Sequence, residues 1–203
     1  MRHNNNLNMK NIPKEFEMRT KRLILRSWKQ SDLDPLAKMN ADQKVMEYYP
    51  SVKTFQESLE EYHRFLDQFN KNGWGFWAVS VIAGPEFIGF IGLNQVSFIS
   101  HFTPAVEVGW RLDFEYWRQG YATEGAIASL RYGFETLDLN EIVSFTVPEN
   151  FRSRTVMEKI GMHRDPKDDF DHPRLPDGHK LRRHVLYRIS RNEFFEKYPK
   201  LQS

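Results

Sequence analysis

The chain has 203 residues, with 29 Lys and Arg against 27 Asp and Glu, a formal charge of +2 and no cysteine. That length suits one well-buried domain, and the near balance of charge excludes a global field for nucleic acid or an anionic membrane. Without cysteine there is no disulfide, thiolate metal site or cysteinyl acyl-enzyme; with no long apolar run and no signal-like leader, the expected compartment is the cytoplasm.

Residues 1–18 are polar and Asn-rich and read as a flexible arm ahead of a single domain over residues 19–203. Alternation over 22–26 predicts a first strand, and Ser31 and Asp32 ahead of Leu33, Leu36 and Met39 predict a helix start. Phe55, Leu59, Tyr62, Leu66 and Phe69 recur at helical spacing, which predicts a helix over 55–71 stopped at Gly73. Residues 75–82 and 87–96 are strand-like runs around Ala83, Gly84, Pro85 and Glu86, an antiparallel hairpin with strong turn chemistry. Residues 105–112 alternate as a strand, with Gly109 marking a bulge or a ligand pressed against the backbone. Then follow a helix over 123–137, a strand over 142–147, a helix over 150–160 stopped by Gly161, a polar loop, a strand over 183–189 and a terminal helix over 190–198. The order gives a mixed α/β fold with one parallel strand, helix, strand unit behind an antiparallel hairpin.

The segment YWRQGYATEG at 116–125 joins a strand to a helix through a tight glycine turn. Gly120 turns where a side chain clashes, and small Ala122 lets a ligand approach the peptide groups. The amides of Gln119, Gly120, Tyr121, Ala122 and Thr123 are then presented at a helix N-terminus, where N–H groups lack helical partners and the dipole favours an anion. Phosphate or pyrophosphate is the natural occupant.

This motif, together with NFRSRTVMEKIGM at 150–162 and RRHVLYRIS at 182–190, resembles the GNAT superfamily of acyl-CoA N-acyltransferases, in particular the branch holding the ribosomal-protein N-terminal alanine and serine acetyltransferases. Trp117 departs from the Gln or Arg frequent at the first slot of the phosphate loop, and Arg118 beside it offers charge. The resemblance implies a mostly antiparallel sheet splayed between its fourth and fifth strands, with acetyl-CoA as co-substrate and no metal. It also implies direct transfer in a ternary complex to an amine acceptor, either a peptide N-terminus or a small molecule. Backbone groups of Val108 and Trp110 would pair with the pantetheine, and the amide of Val108 would face the thioester oxygen. Asn150 would bind the pantetheine, and Ser153 would protonate the departing thiolate.

Each residue has a plainer reading too. Asn150 is also an ordinary helix cap, and Ser153 a first-turn serine bonded to its own helix. Glu107 is a base candidate or a solvated strand carboxylate paired with Arg111. His184 is a substrate contact or a packed strand residue. His163, His172 and His179, with Asp165, Asp168, Asp169 and Asp171, lack compact metal-ligand spacing and read as a surface loop shaping the cleft. Phe98, Phe102 and Phe114 suit a homodimer face or a substrate wall. The rival to an enzyme is a non-catalytic acyl-CoA-binding sensor or scaffold. A dinucleotide-binding domain is disfavoured by the missing GxGxxG spacing.

Overall fold

A computed structural model describes residues 15–199. Strands β1 Glu17–Arg19 and β2 Leu23–Arg26 are followed by helices α1 Leu33–Ala41 and α2 Phe55–Asn72, then by strands β3 Phe76–Val81, β4 Gly89–Gln95 and β5 Val106–Leu112. Helix α3 Tyr121–Glu135, strand β6 Glu141–Thr146 and helix α4 Phe151–Lys159 come next, and β7 Phe170–Asp171, β8 Arg183–Ser190 and α5 Arg191–Lys197 close the chain. The strands form one eight-stranded sheet in the order β1-β2-β3-β4-β5-β6-β8-β7. All neighbours are antiparallel except β5 and β6. No helix among the described residues is long and apolar enough to cross a membrane.

Local chemistry sets the helix ends. Thr54 and Glu57 form a reciprocal capping box at the start of α2, and Gly73 closes it at φ 76°. Helix α3 begins two residues earlier than its periodicity predicts, because Gly120 at φ 80° turns the chain straight into the first helical residue. Asp32 is not the side-chain cap that the sequence suggests. Its carboxylate takes Arg26 at 2.7 and 2.8 Å, joining α1's start to β2 through a buried ion pair.

Two segments differ from their sequence reading. Residues 17 and 18 of the expected arm belong to β1, paired Met18 to Leu25, and the Phe16 ring stacks 5.4 Å from that of Trp77. Residues 1–14 of that arm lie outside the described residues. Within the expected surface loop, β7 pairs with β8 and buries Phe170.

Faces of β5 explain the layers. Val108 and Leu112 are buried on the side covered by α3, which approaches so closely that a Cβ on Gly125 would stand 2.5 Å from Ile91 Cδ1. Glu107, Gly109 and Arg111 face the other way, toward α1 and α2. No bulge occurs at Gly109: β4 and β5 stay in register from Gly89 opposite Leu112 to Gln95 opposite Val106. The glycine instead admits the ring of Phe76, 3.0 Å from where a Cβ would sit.

The β5–β6 seam is opened. The two strands are in register only at Glu107 and Val143, and beyond that point they part, which leaves the C-terminal half of β5 with a free edge. This is the splay that the family resemblance implies.

Candidate active site

Both ends of the site are built by that free edge. Asp113 N donates to Ile88 O, and Ala105 O accepts from Val96 N, each at 2.9 Å. Odd-numbered residues of β5 therefore spend their backbone groups on β4, and the alternation of an antiparallel ladder turns those of Val108 and Trp110 toward the opened side. The Trp117 indole uses the next even position, donating to Leu112 O at 2.8 Å. This is the work of the residue that departs from the usual loop pattern: it anchors the loop to the strand. The guanidinium of Arg152, from α4, lies 4.7 Å from the Trp117 ring.

At the start of α3 the amides of residues 119–123 form no hydrogen bond among the described residues, the first helical bond being Glu124 N to Gly120 O at 3.0 Å. Arg118, Gly120, Tyr121, Ala122 and Thr123 border a cavity of about 350 Å³, whereas Gln119 stands outside its lining. A brace the sequence did not reveal holds the loop. Arg22 donates to Gln119 O at 2.8 Å and to Glu124 Oε2 at 2.7 Å, and its guanidinium stands 4.7 Å from the Tyr121 ring. Salt-bridging Arg22 across the loop uses a residue from the β1–β2 turn, so only the tertiary fold brings it there.

A second cavity, about 550 Å³, lies on the other side of the opened seam. Tyr48, Tyr49, Trp110, Arg111, Asn150 and Ser153 border both cavities, so the cleft passes between β5 and β6. Tyr48 Oη donates to Glu149 O at 3.1 Å, which straps the segment after α1 to the start of α4. Asn150 is the cap of α4: Oδ1 accepts from Ser153 N at 3.2 Å and Nδ2 donates to Thr146 Oγ1 at 2.9 Å. Its remaining lone pair and proton are what it has left for a ligand. The Ser153 hydroxyl, by contrast, forms no hydrogen bond among the described residues and borders the cleft.

Glu107 sits in the wall of the second cavity. It does not pair with Arg111, whose Nη1 goes to Glu61 Oε2 at 3.0 Å and Asn40 Oδ1 at 2.7 Å. Asn94 Nδ2 donates to Glu107 Oε1 at 2.7 Å, and Gln68 Nε2 fixes that amide by donating to Asn94 Oδ1 at 3.0 Å. The residue is half-buried in that wall. Desolvation therefore raises its pKa to about 7, against smaller lowering effects from Asn94 and Arg174.

His172 and His184 line the same cavity with ring centroids 5.1 Å apart. His172, read from the sequence as part of a surface loop, is thus drawn inside by the β7–β8 pairing. Burial, then His184 and Arg174, lower its pKa to about 4; burial lowers that of His184 as well, so both rings are neutral at pH 7. Phe98, Phe102, Phe145 and Phe170 pack behind them, which makes Phe98 and Phe102 the backing of this wall. Phe114 is elsewhere, exposed under Lys44. His163 and His179 stay outside the lining, Asp168 pairs with Arg188 at 2.7 Å and Asp169 with Arg164 at 2.9 Å. Among the described residues no group of three His, Asp or Glu is placed to hold a metal ion.

An amide cradle on one side of a parted sheet and a desolvated carboxylate on the other define a group-transfer site for a donor with a phosphate-bearing tail. The chain belongs to the acetyltransferase (GNAT) domain family, whose model matches residues 22–163. It is 32% identical, over 86% of this chain and 97% of the other, to an uncharacterized N-acetyltransferase, YnaD, of Bacillus subtilis. It is also 32% identical to the FsC-acetyl coenzyme A-N(2)-transacetylase of Aspergillus fumigatus, over 77% of this chain and 68% of that one. A GNAT acetyltransferase structure from Bacillus anthracis superposes with a TM-score of 0.72 at 29% identity, over 87% of this chain and 99% of its own. The protein is thus an N-acetyltransferase of the GNAT family. Ribosomal-protein acetyltransferases among the solved structures share its fold at 16% and 19% identity, and at that distance the likeness is one of fold alone.

Proposed function

We propose that the enzyme moves the acetyl group of acetyl-CoA directly to an α-amine, that of a small molecule or of a protein N-terminus, with donor and acceptor bound together. The observation that carries this reading is that Glu107 and Ser153 border one cavity, beside Val108 and Trp110 at the point where β5 and β6 part.

The fit to the coenzyme rests on the unbonded amides of residues 119–123, which suit a pyrophosphate, with Arg118 adding charge at the rim. The free edge of β5 suits a pantetheine arm paired like an added strand. Glu107 takes a proton from the acceptor nitrogen, which then attacks the thioester carbonyl. The C–N bond forms, the C–S bond breaks, the Val108 amide stabilises the oxyanion, and the extra proton left on nitrogen passes to Ser153 as its hydroxyl gives its own to the departing thiolate. Asn150 contributes by capping α4, which orients Ser153, and by whatever its free lone pair and proton bind.

A carboxylate raised by burial to about 7 at Glu107 suits an α-amine acceptor. An α-amine near 8 gives up its proton to such a base at little cost, whereas a lysine amine near 10.4 is about three units too basic. The test is thiol release from acetyl-CoA with a panel of α-amines and ω-amines. Acceptor-dependent release that favours α-amines supports the reading. Coenzyme binding without acceptor-dependent release identifies a sensor instead.

A further inference from the structure

One buried cation in the cleft has no part in that scheme. Arg111 leaves β5 on the same face as Glu107, borders the cavity and is only 7% exposed. Asn40 and Glu61 hold its Nη1, and the rings of Tyr49 and Phe90 lie 4.3 and 5.0 Å from its guanidinium carbon. Its Nε is buried with no hydrogen-bond partner among the described residues. A buried donor of this kind is costly to leave unmade, and more so when it carries charge.

The charge count points the same way. Arg111 and Lys53 both form their ion pairs with Glu61, so two cations share one buried carboxylate. Burial pulls the pKa of Lys53 down in consequence, and the paired cations hold that of Glu61 low, against its own desolvation. An anion in the cavity beside Arg111 would balance the charge. The amides suited to the coenzyme phosphates are at the start of α3, whereas the Arg111 guanidinium is held by Asn40 and Glu61 on the face toward α1 and α2.

We infer that Arg111 binds a carboxylate carried by the acceptor itself, so that the acceptor is an amino acid or a close derivative. Its α-amine turns toward Glu107 and its carboxylate toward Arg111. The inference rests on the α-amine reading above and narrows it, since the first residue of a protein chain has no free α-carboxylate. The aromatic rings of Phe65, Phe76 and Phe90, which border the same cavity, suit an apolar side chain.

The test is binding of products in the presence of CoA, measured by calorimetry. N-acetyl derivatives of aromatic, aliphatic and acidic amino acids are each compared with the corresponding carboxamide. For at least one pair the acid binds about a hundredfold more tightly, and Arg111→Gln removes the difference. Because Arg111→Gln strands Glu61, the double variant Arg111→Gln, Glu61→Gln is measured beside it; the acid-to-amide ratio of the wild type stands on its own if neither folds. Equal binding of acid and amide across the panel, no detectable binding of any acid, or a preference that survives in the variants overturns the inference. Thiol release with phenylalanine and phenethylamine separates the two layers. Equal release from both refutes the carboxylate site and keeps the enzyme, whereas no release from any amine refutes the catalytic reading and leaves the binding ratio to judge Arg111.

Discussion

The raised pKa of Glu107 comes from its surroundings and not from its own sequence. Three residues separated along the chain, Gln68, Asn94 and Glu107, form a line of hydrogen bonds that fixes the carboxylate, while the cavity wall strips it of water. A raised pKa means that the active, ionised form accumulates only as pH rises through about 7, so the activity lost on the acid side is recovered there. Glu107→Gln should lower kcat by about 10²–10⁴ and abolish the rise in kcat/KM near pH 7, leaving only the acceptor's own ionisation near 8. A pH–rate profile of the variant that keeps the limb near 7 would assign it to another group. Glu107 itself was legible as a candidate from its place in an alternating strand. Its partner was not, because Arg111 stands on the same face and looks available until Glu61 and Asn40 arrive from the helices. His172 was misplaced for a similar reason: a two-residue strand such as Phe170–Asp171 is too short to leave a periodic signal.

At the scale of elements, α3 does two things with one set of residues. Its first turn presents unbonded amides to the cleft, and its glycines let it lie against the sheet so that those amides are held at the strand end. A Cβ on Gly125 would meet Ile91 Cδ1 at 2.5 Å, and one on Gly133 would meet Ile142 Cδ1 at 2.6 Å. Gly125→Ala should therefore cost about 1–3 kcal/mol of stability in urea unfolding, despite the better helix propensity of alanine. Unchanged or increased stability would mean that the helix is free to lift, and that close packing does not position the loop. The glycine turn, the α2 helix and the antiparallel hairpin were all visible in the sequence, since each is a local pattern closed by a cap or turn residue. Strand β1 and the brace of Arg22 on Glu124 were hidden, being long-range contacts with no local signature.

Across the whole molecule, function follows from one departure from a regular sheet. Seven strand neighbours are joined in order, yet β5 and β6 meet at a single register point. That gap connects the cavity under α3 and α4 to the one under α1, α2 and the β7–β8 wall; in the proposed reading a donor bound on one side meets an amine bound on the other. The fold class was expected from the order of elements and the splay from the resemblance of three motifs, and the family match over residues 22–163 places the chain there. The second cavity was out of reach of such reasoning because residues of its wall, Glu107, Arg111, His172 and His184, are assembled from β5, β8 and a loop.

The account turns on the loop at Gly120 holding the phosphates of the donor, and calorimetric titration of acetyl-CoA into wild type and Gly120→Asp tests it most directly. At φ 80° aspartate is among the better tolerated replacements, and the nearest atom to its Cβ would be Arg22 Nη2 at 3.3 Å, so the fold should persist. The carboxylate would then face the pyrophosphate, and the expected result is binding weakened by about a hundredfold or more with little change in melting temperature. Equal affinity in the two proteins would contradict the assignment of the site.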